Sequence, residues 1–228
     1  MPDPNIEQLL AVARKLRPLL DDLVFVGGCA TGLLITDTSA PSVRATFDVD
    51  AIAKVSTYSE YVALSERLRE LGFSEDSSEG APVCRWISGS LVLDVMPLDA
   101  RVLGFSNRWY GEAVRTSTSI SLERSLSIRV VTAPVFLATK LEAFKSRGKG
   151  DYFGSHDLED ALSVYRRASR TSRRDSGGSA SAAGISSRRM ECAFARSKIR
   201  RCPTRTFAAR SVQQRAGRSP SSTDRGDR

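Results

Sequence analysis

TFDVDAIA, residues 46–53, sets Asp48 and Asp50 inside an otherwise apolar run. The alternation predicts a β-strand, in which every second side chain shares a face. Phe47, Val49 and Ala51 then point one way and the two acids the other, about 7 Å apart at roughly 3.3–3.4 Å per residue. Two carboxylates on one face repel each other unless a cation lies between them. Mg²⁺ suits such a pair, with Mn²⁺ as the alternative, because oxygen ligands from one or two carboxylates and from substrate phosphates complete its shell. The plainer reading of a bare Asp-x-Asp is a half-exposed edge strand with solvated acids.

The surroundings weigh against the plainer reading. Upstream, FVGGCATGLLI (residues 25–35) places Gly27 and Gly28 after a short apolar strand, Leu23–Val26, and before a helix. Glycine lets a backbone approach a phosphate closely, and a helix start adds N–H donors. Downstream, LVLDVMPLD (residues 91–99) places Asp94 in the middle of an apolar strand. A lone carboxylate there is costly unless it is paired or metal-bound. Asp94 is therefore a candidate third acid, either sharing a metal or taking a proton from an attacking hydroxyl. Asp99, at the strand's end, is expected to be solvated.

The remaining pattern predicts an α+β fold, a small mixed sheet backed by helices, over residues 1–166. Helical spacing runs through residues 6–19 and 58–73, the second helix ending at Gly72. Two apolar runs flank SGS at 88–90, which predicts a β-hairpin. Residues 127–131 form another strand, and Pro134 opens a helix. On that helix Lys140 and Arg147 are two turns apart and share a face, where their charges meet phosphates or simply solvent. Residues 37–45 read as a polar loop around Pro41. A second loop, GKGDYFGS, leads to Ser155, which caps a last helix from His156. Lys145 and Lys149 fit a solvated helix end. His156, the single histidine, is a local hydrogen-bonding residue or a base. Trp86 is expected in the core rather than stacked on a nucleobase, and Trp109-Tyr110 falls in a segment without a clear period.

The net charge of +8 is unevenly placed. Residues 167–228 hold 16 Lys/Arg against 4 Asp/Glu, so the remainder of the chain is slightly acidic. This Arg/Ser-rich segment has no apolar periodicity and is expected to be disordered. It is either a true basic tail or the product of a shifted reading frame. Of Cys29, Cys84, Cys192 and Cys202, no two have Cys-x-x-Cys spacing, which argues against zinc; the first two read as small buried residues. The N-terminus lacks a basic start followed by an apolar core, and no stretch approaches a membrane span, so a cytoplasmic protein without membrane contact is expected.

The order of these motifs resembles the nucleotidyltransferase superfamily related to DNA polymerase beta. VGG at 26–28 matches its glycine motif, with Cys29 where that family often has Ser or Thr. FDVDAI at 47–52 matches its carboxylate pair, and LDV at 93–95 its third acid. Arg44 and Thr46, in RATFDVD, look like the Arg-x-Thr-x-Asp-x-Asp variant of small bacterial members. The chain is most similar there to AbiEii-type proteins, some of which are toxins of toxin–antitoxin pairs. Residues 138–162 match that group's Lys, Arg and Asp-Leu-x-Asp block at Lys140, Arg147, Asp157 and Asp160. The resemblance implies a Mg²⁺-dependent transfer of a nucleoside monophosphate from a nucleoside triphosphate to a hydroxyl, on tRNA or another acceptor, with an antitoxin protein as partner. Asp48, Asp50 and Asp94 would hold metal. Gly27, Gly28, Arg44, Thr46 and Arg147 would bind nucleotide, while Lys140 contacts phosphate and Asp157 orients Lys140 or the acceptor. Two rivals stand beside it: a non-catalytic nucleic-acid-binding protein gripping phosphates through the Arg-rich tail, and a defective relic of the enzyme.

Overall fold

The computed structural model describes residues 3–35, 43–148 and 150–166, and the backbone of 167–174. Pro41, Lys149, Cys192, Cys202 and the segment beyond Arg174 lie outside the described residues.

Helix α1 (Pro4–Lys15) starts at Asp3, whose carboxylate accepts from the Asn5 N–H, with Pro4 in the first turn. Leu9, Val12, Ala13 and Leu16 on its inner face are fully buried. A 3₁₀ turn, Arg17–Asp22, leads into β1 (Leu23–Val26), whose four residues are all buried. A continuous apolar run of this kind is what a strand covered on both faces requires. Then come α2 (Gly27–Thr31), β2 (Val49–Ala53), α3 (Tyr58–Glu70) and β3 (Ser74–Glu75). Thr57 and Glu60 form a reciprocal capping box at the start of α3. The hairpin β4 (Arg85–Ser88) and β5 (Leu91–Met96) follows, turning at Gly89 with φ +60. The chain continues with α4 (Ala100–Leu103), α5 (Tyr110–Thr116), β6 (Thr118–Glu123), β7 (Leu126–Val130), α6 (Ala133–Arg147) and α7 (His156–Arg174).

The strands form one seven-stranded sheet in the order β3-β4-β5-β2-β1-β7-β6. Pairs β2/β5 and β1/β7 are parallel and the others antiparallel, so the expected mixed sheet is present. One line of register positions the site. Val26 pairs with Asp50, Asp50 with Asp94, and Asp94 with Arg85. Four neighbouring strands thus contribute one residue each to a row across the sheet. At the next position after Val26, Gly27 turns the chain into α2 with φ +71.

Two expectations are corrected. The acidic strand begins only at Val49, so Asp48 precedes it. Phe47 is 88% exposed, whereas Val49 and Ala51 are fully buried, so the three do not share a face. The reason lies in the neighbours: β1 ends opposite Asp50, and Asn5 of α1 binds the backbone of residues 44 and 46 instead. The last helix also does not stop where the apolar pattern fades at Tyr165; its backbone continues to Arg174.

Candidate active site

A cleft of about 800 Å³ opens over the row of paired residues. Asp48, Asp50 and Asp94 line it on the sheet side, and Lys140, Arg147 and Asp157 on the side of α6 and α7, with Gly28, Arg44 and Thr46 between. The sequence-derived candidates therefore converge on one cavity, Gly27 being the exception that lies just beneath its lining.

The glycine turn is shaped around Asp50. A Cβ at Gly27 would lie 1.8 Å from Asp50 Oδ2, and one at Gly28 would lie 3.0 Å from Thr46 Cγ2. The first position thus needs glycine both for its positive φ and for the room that the carboxylate occupies. Burial, with Asp48 and Asp94 nearby, pushes the Asp50 carboxyl up to about 7, against the opposing pull of Lys140 and Arg147. No donor among the described residues forms a hydrogen bond to it.

The other two acids are engaged. Arg85 grips Asp94 with Nε to Oδ1 and Nη2 to Oδ2, both at 2.8 Å, and the same Nη2 donates to Asp48 Oδ2 at 2.8 Å. Thr46 Oγ1 donates to Asp48 Oδ1 at 2.7 Å. Asp94 is largely buried, and a guanidinium is what a buried carboxylate on a central strand calls for. Arg85 escaped the reading of the sequence, although the hairpin offered the signal: with Ser88 opposite Leu91, counting outward from the turn puts Arg85 opposite Asp94.

Asn5 is a second residue that went unrecognised. It is fully buried, donates through Nδ2 to the Arg44 carbonyl and accepts at Oδ1 from the Thr46 N–H, each at 2.9 Å. Gln8 Nε2 donates to the Phe47 carbonyl. The start of α1 therefore holds the segment that carries Thr46 and Asp48. An asparagine just before an apolar helix looks like an ordinary cap, so only the fold reveals this use.

The basic side is an ion network between α6 and α7. Lys140 Nζ lies 2.7 Å from Asp160 Oδ2 and 3.4 Å from Asp157 Oδ1. Arg147 donates from Nε and Nη2 to both oxygens of Asp157, at 2.9 and 3.0 Å. Burial raises the Asp157 carboxyl, but hydrogen bonding from Arg147 and the charges of Lys140 and Arg147 outweigh it and hold it below the usual range. Lys140 is thus committed to two acids and only 13% exposed, whereas the Arg147 side chain is 72% exposed and open to a ligand. Arg44 sits 3.7 Å from Glu159 and 3.9 Å from Asp160, and its buried Nε has no hydrogen-bond partner among the described residues. The residue also lines the cleft.

His156 is exposed at the cleft wall and lies 3.6 Å from Glu159 of its own helix. The remaining candidates lie away from the cleft. Trp86 is in the core. Trp109-Tyr110 opens α5, where the buried Tyr110 hydroxyl donates to Met96 Sδ rather than facing the cleft. Cys29 and Cys84 are buried; burial pushes the Cys84 thiol up to about 12 and Cys29 higher still, so neither is a nucleophile near neutral pH.

The donor set fits an oxygen-bound divalent ion in one respect: the guanidinium of Arg85 already stands as a cation between two of the acids, and Asp50 has no hydrogen-bonded counter-charge, Lys140 and Arg147 acting on it only at a distance. Among the described residues no three Asp, Glu, His or Cys side chains converge tightly enough to hold an ion by themselves. Two carboxylates, completed by phosphate oxygens, would be the set open to such an ion.

No protein-family model matches the chain, and no curated protein matches it in sequence. Among solved structures it is similar to an antigenic nucleotidyltransferase-like protein from Paracoccidioides brasiliensis, at 19% identity over 72% of this chain and 76% of that one, with a TM-score of 0.46. It is also similar to the antibiotic-resistance factor ANT(2'')-Ia, at 16% identity over 75% of this chain and 91% of that one, with a TM-score of 0.44. Among the described residues no helix is long and apolar enough to cross a membrane.

Proposed function

We propose that the cleft performs metal-dependent nucleotidyl transfer. A hydroxyl oxygen attacks the α-phosphorus of a nucleoside triphosphate, a new O–P bond forms, the bond to the bridging oxygen breaks, and pyrophosphate leaves. The observation that carries this reading is the opposition, across one cavity, of an acid row from the sheet and a basic group from α6 and the residue-44 segment.

Asp48 and Asp50 would hold Mg²⁺, or Mn²⁺, whose chemistry when bound is to neutralise charge developing on the phosphate oxygens. Arg147 and Arg44 bind the phosphate chain, Arg147 with a planar fork suited to two oxygens. Lys140 adds positive charge from its seat on Asp160. Asp157 orients both α6 cations. The Gly27-Gly28 turn leaves room for phosphate against backbone and for Asp50 beneath it. Asp94 is the acid nearest to hand for taking the hydroxyl proton once Arg85 loosens. A toxin role in the cytoplasm, with an antitoxin partner and tRNA among the acceptors, belongs to the same proposal and rests on the AbiEii resemblance.

The test is transfer of label from each α-labelled nucleoside triphosphate, with Mg²⁺, to total RNA or lysate. Label on one acceptor class, lost in Asp50→Asn, is the expected result. Equal transfer by Asp50→Asn would sink the mechanism.

A further inference from the structure

Arg85 occupies the position where the acids need a cation. It closes both oxygens of Asp94 and one of Asp48, while Thr46 takes the other Asp48 oxygen. Only Asp50 is left open. Yet the Arg85 side chain is 25% exposed and forms part of the cleft lining, so it is not sealed into the core. Its fork of N–H donors matches a phosphate as well as it matches a carboxylate. A divalent ion held by Asp48 and Asp50 and this guanidinium cannot both keep Asp48 Oδ2.

Resting on the reading of the cleft as a metal-dependent transfer site, we propose that Arg85 is a displaceable counter-cation. It neutralises Asp48 and Asp94 in the empty cleft, and it turns to the triphosphate when the ion takes Asp48 and Asp50. A divalent ion alone then binds in competition with Arg85. An ion arriving with a triphosphate binds with its help, because the released guanidinium gains a new anionic partner. Arg85 thereby makes ion affinity depend on nucleotide, and by linkage nucleotide affinity depends on the ion to the same factor. It also frees Asp94 for the proton of the acceptor only when both are present. A fixed structural strut would do none of this.

The experiment is Mn²⁺ titration of the full-length chain, with unbound ion read by electron paramagnetic resonance. It is run with and without a non-hydrolysable nucleoside triphosphate analogue, on the wild type, Arg85→Met and Asp50→Asn. Removal of a unit charge from the site should let Arg85→Met bind Mn²⁺ alone at least about ten-fold more tightly than the wild type. The tightening that the analogue gives the wild type should shrink in this variant by at least about ten-fold. Mn²⁺ affinity in folded Arg85→Met that is equal to or below the wild type overturns the proposal. Asp50→Asn separates the two levels of the argument. If it leaves Mn²⁺ binding untouched, the metal site itself is wrong and the role of Arg85 falls with it. If it removes binding while Arg85→Met changes nothing, only the counter-cation is wrong. Should Arg85→Met fail to fold by circular dichroism, Arg85→Lys replaces it: the charge stays but the two-carboxylate grip is lost, so Mn²⁺ should bind several-fold more tightly, and no change overturns the proposal.

Discussion

Gly27→Ala tests whether the turn and the acid strand are built around one another. At φ +71 an alanine adopts the left-handed region at about 1–2 kcal/mol. Loss of glycine's freedom in the unfolded chain returns about 0.4–1 kcal/mol. The new methyl would sit 1.8 Å from Asp50 Oδ2, 2.5 Å from its Cγ and 2.7 Å from its Cβ. Rotating the carboxylate cannot relieve the last contact, because that Cβ is fixed by the backbone of β2. Overpacking of this kind adds about 1–3 kcal/mol. The net expectation is a loss of about 2–4 kcal/mol, or roughly 5–15 °C in Tm for a domain of this size. Gly28→Ala is the control: its Cβ would meet only the Thr46 side chain, at 3.0–3.4 Å, and alanine favours the helix, so the change should stay within about 1 kcal/mol. Urea unfolding followed by circular dichroism measures both. The same substitution in an Asp50→Ala background removes the oxygen and Cγ contacts, so the Gly27→Ala penalty should fall by on the order of 1 kcal/mol. Equal losses for the two glycines, or a penalty unchanged without the carboxylate, would refute the reasoning.

Asn5→Ala leaves the Arg44 carbonyl and Thr46 N–H without their buried partner; urea unfolding should show a loss of about 1–3 kcal/mol, and a neutral result would mean that α1 does not hold the segment. Lys140→Met leaves the buried Asp160 with only Arg44, at 3.9 Å, while Asp157 keeps its Arg147 fork, and should destabilise by about 3–5 kcal/mol in the same unfolding assay. Arg147→Ala removes the two-nitrogen grip on the buried Asp157 but leaves it Lys140 at 3.4 Å, so it should cost about 1–3 kcal/mol, less than Lys140→Met, while weakening triphosphate binding in a filter or calorimetric assay; the reverse stability ranking would contradict the division of labour. Because the Asp157 carboxyl is held low in the folded state, its contribution is present above the unfolded carboxylate value of about 3.9 and disappears as pH falls through the lower, folded value. The stability gap between the wild type and Asp157→Asn should therefore be constant above about pH 5 and shrink in acid, and a gap that persists undiminished to about pH 2 would speak against it.

Much of the fold was legible because the central strands are continuous apolar runs. β1 appears at its expected residues, the SGS turn joins β4 to β5, and Pro134 lies in the first turn of α6. The sheet's margins were not legible. β3 is two exposed residues, and β6 shows only Ile120 and Leu122 alternating within an otherwise polar run, a two-residue apolar face too short to stand out. Within the site, residue types were legible and their commitments were not. The acids, Arg147, Arg44 and Lys140 do line one cleft, but nothing in the spacing says that Lys140 is spent on Asp157 and Asp160. Phe47 was misplaced because strand alternation assumes a partner strand, and the partner ends opposite Asp50. Asp48 still reaches the cleft, held by Thr46 rather than by strand pleating.

The partners chosen by each charge carry the strongest implication. Asp94 of β5 is matched by Arg85 of β4, and Asp157 and Asp160 of α7 by Lys140 and Arg147 of α6. Most acids on the cleft wall thus have a base from another element, while Asp151 accepts from the backbone N–H groups of Phe153 and Gly154. Asp50 breaks the rule. It is desolvated, placed beside two further acids and given no donor, and its carboxyl rises accordingly. Opposite it, the exposed Arg147 fork and Arg44, which is paired only loosely with Glu159 and Asp160, line the same cavity. An acid without a donor facing such cations suits a ligand that is cationic at one end and anionic at the other. A divalent ion riding on a phosphate chain has that polarity.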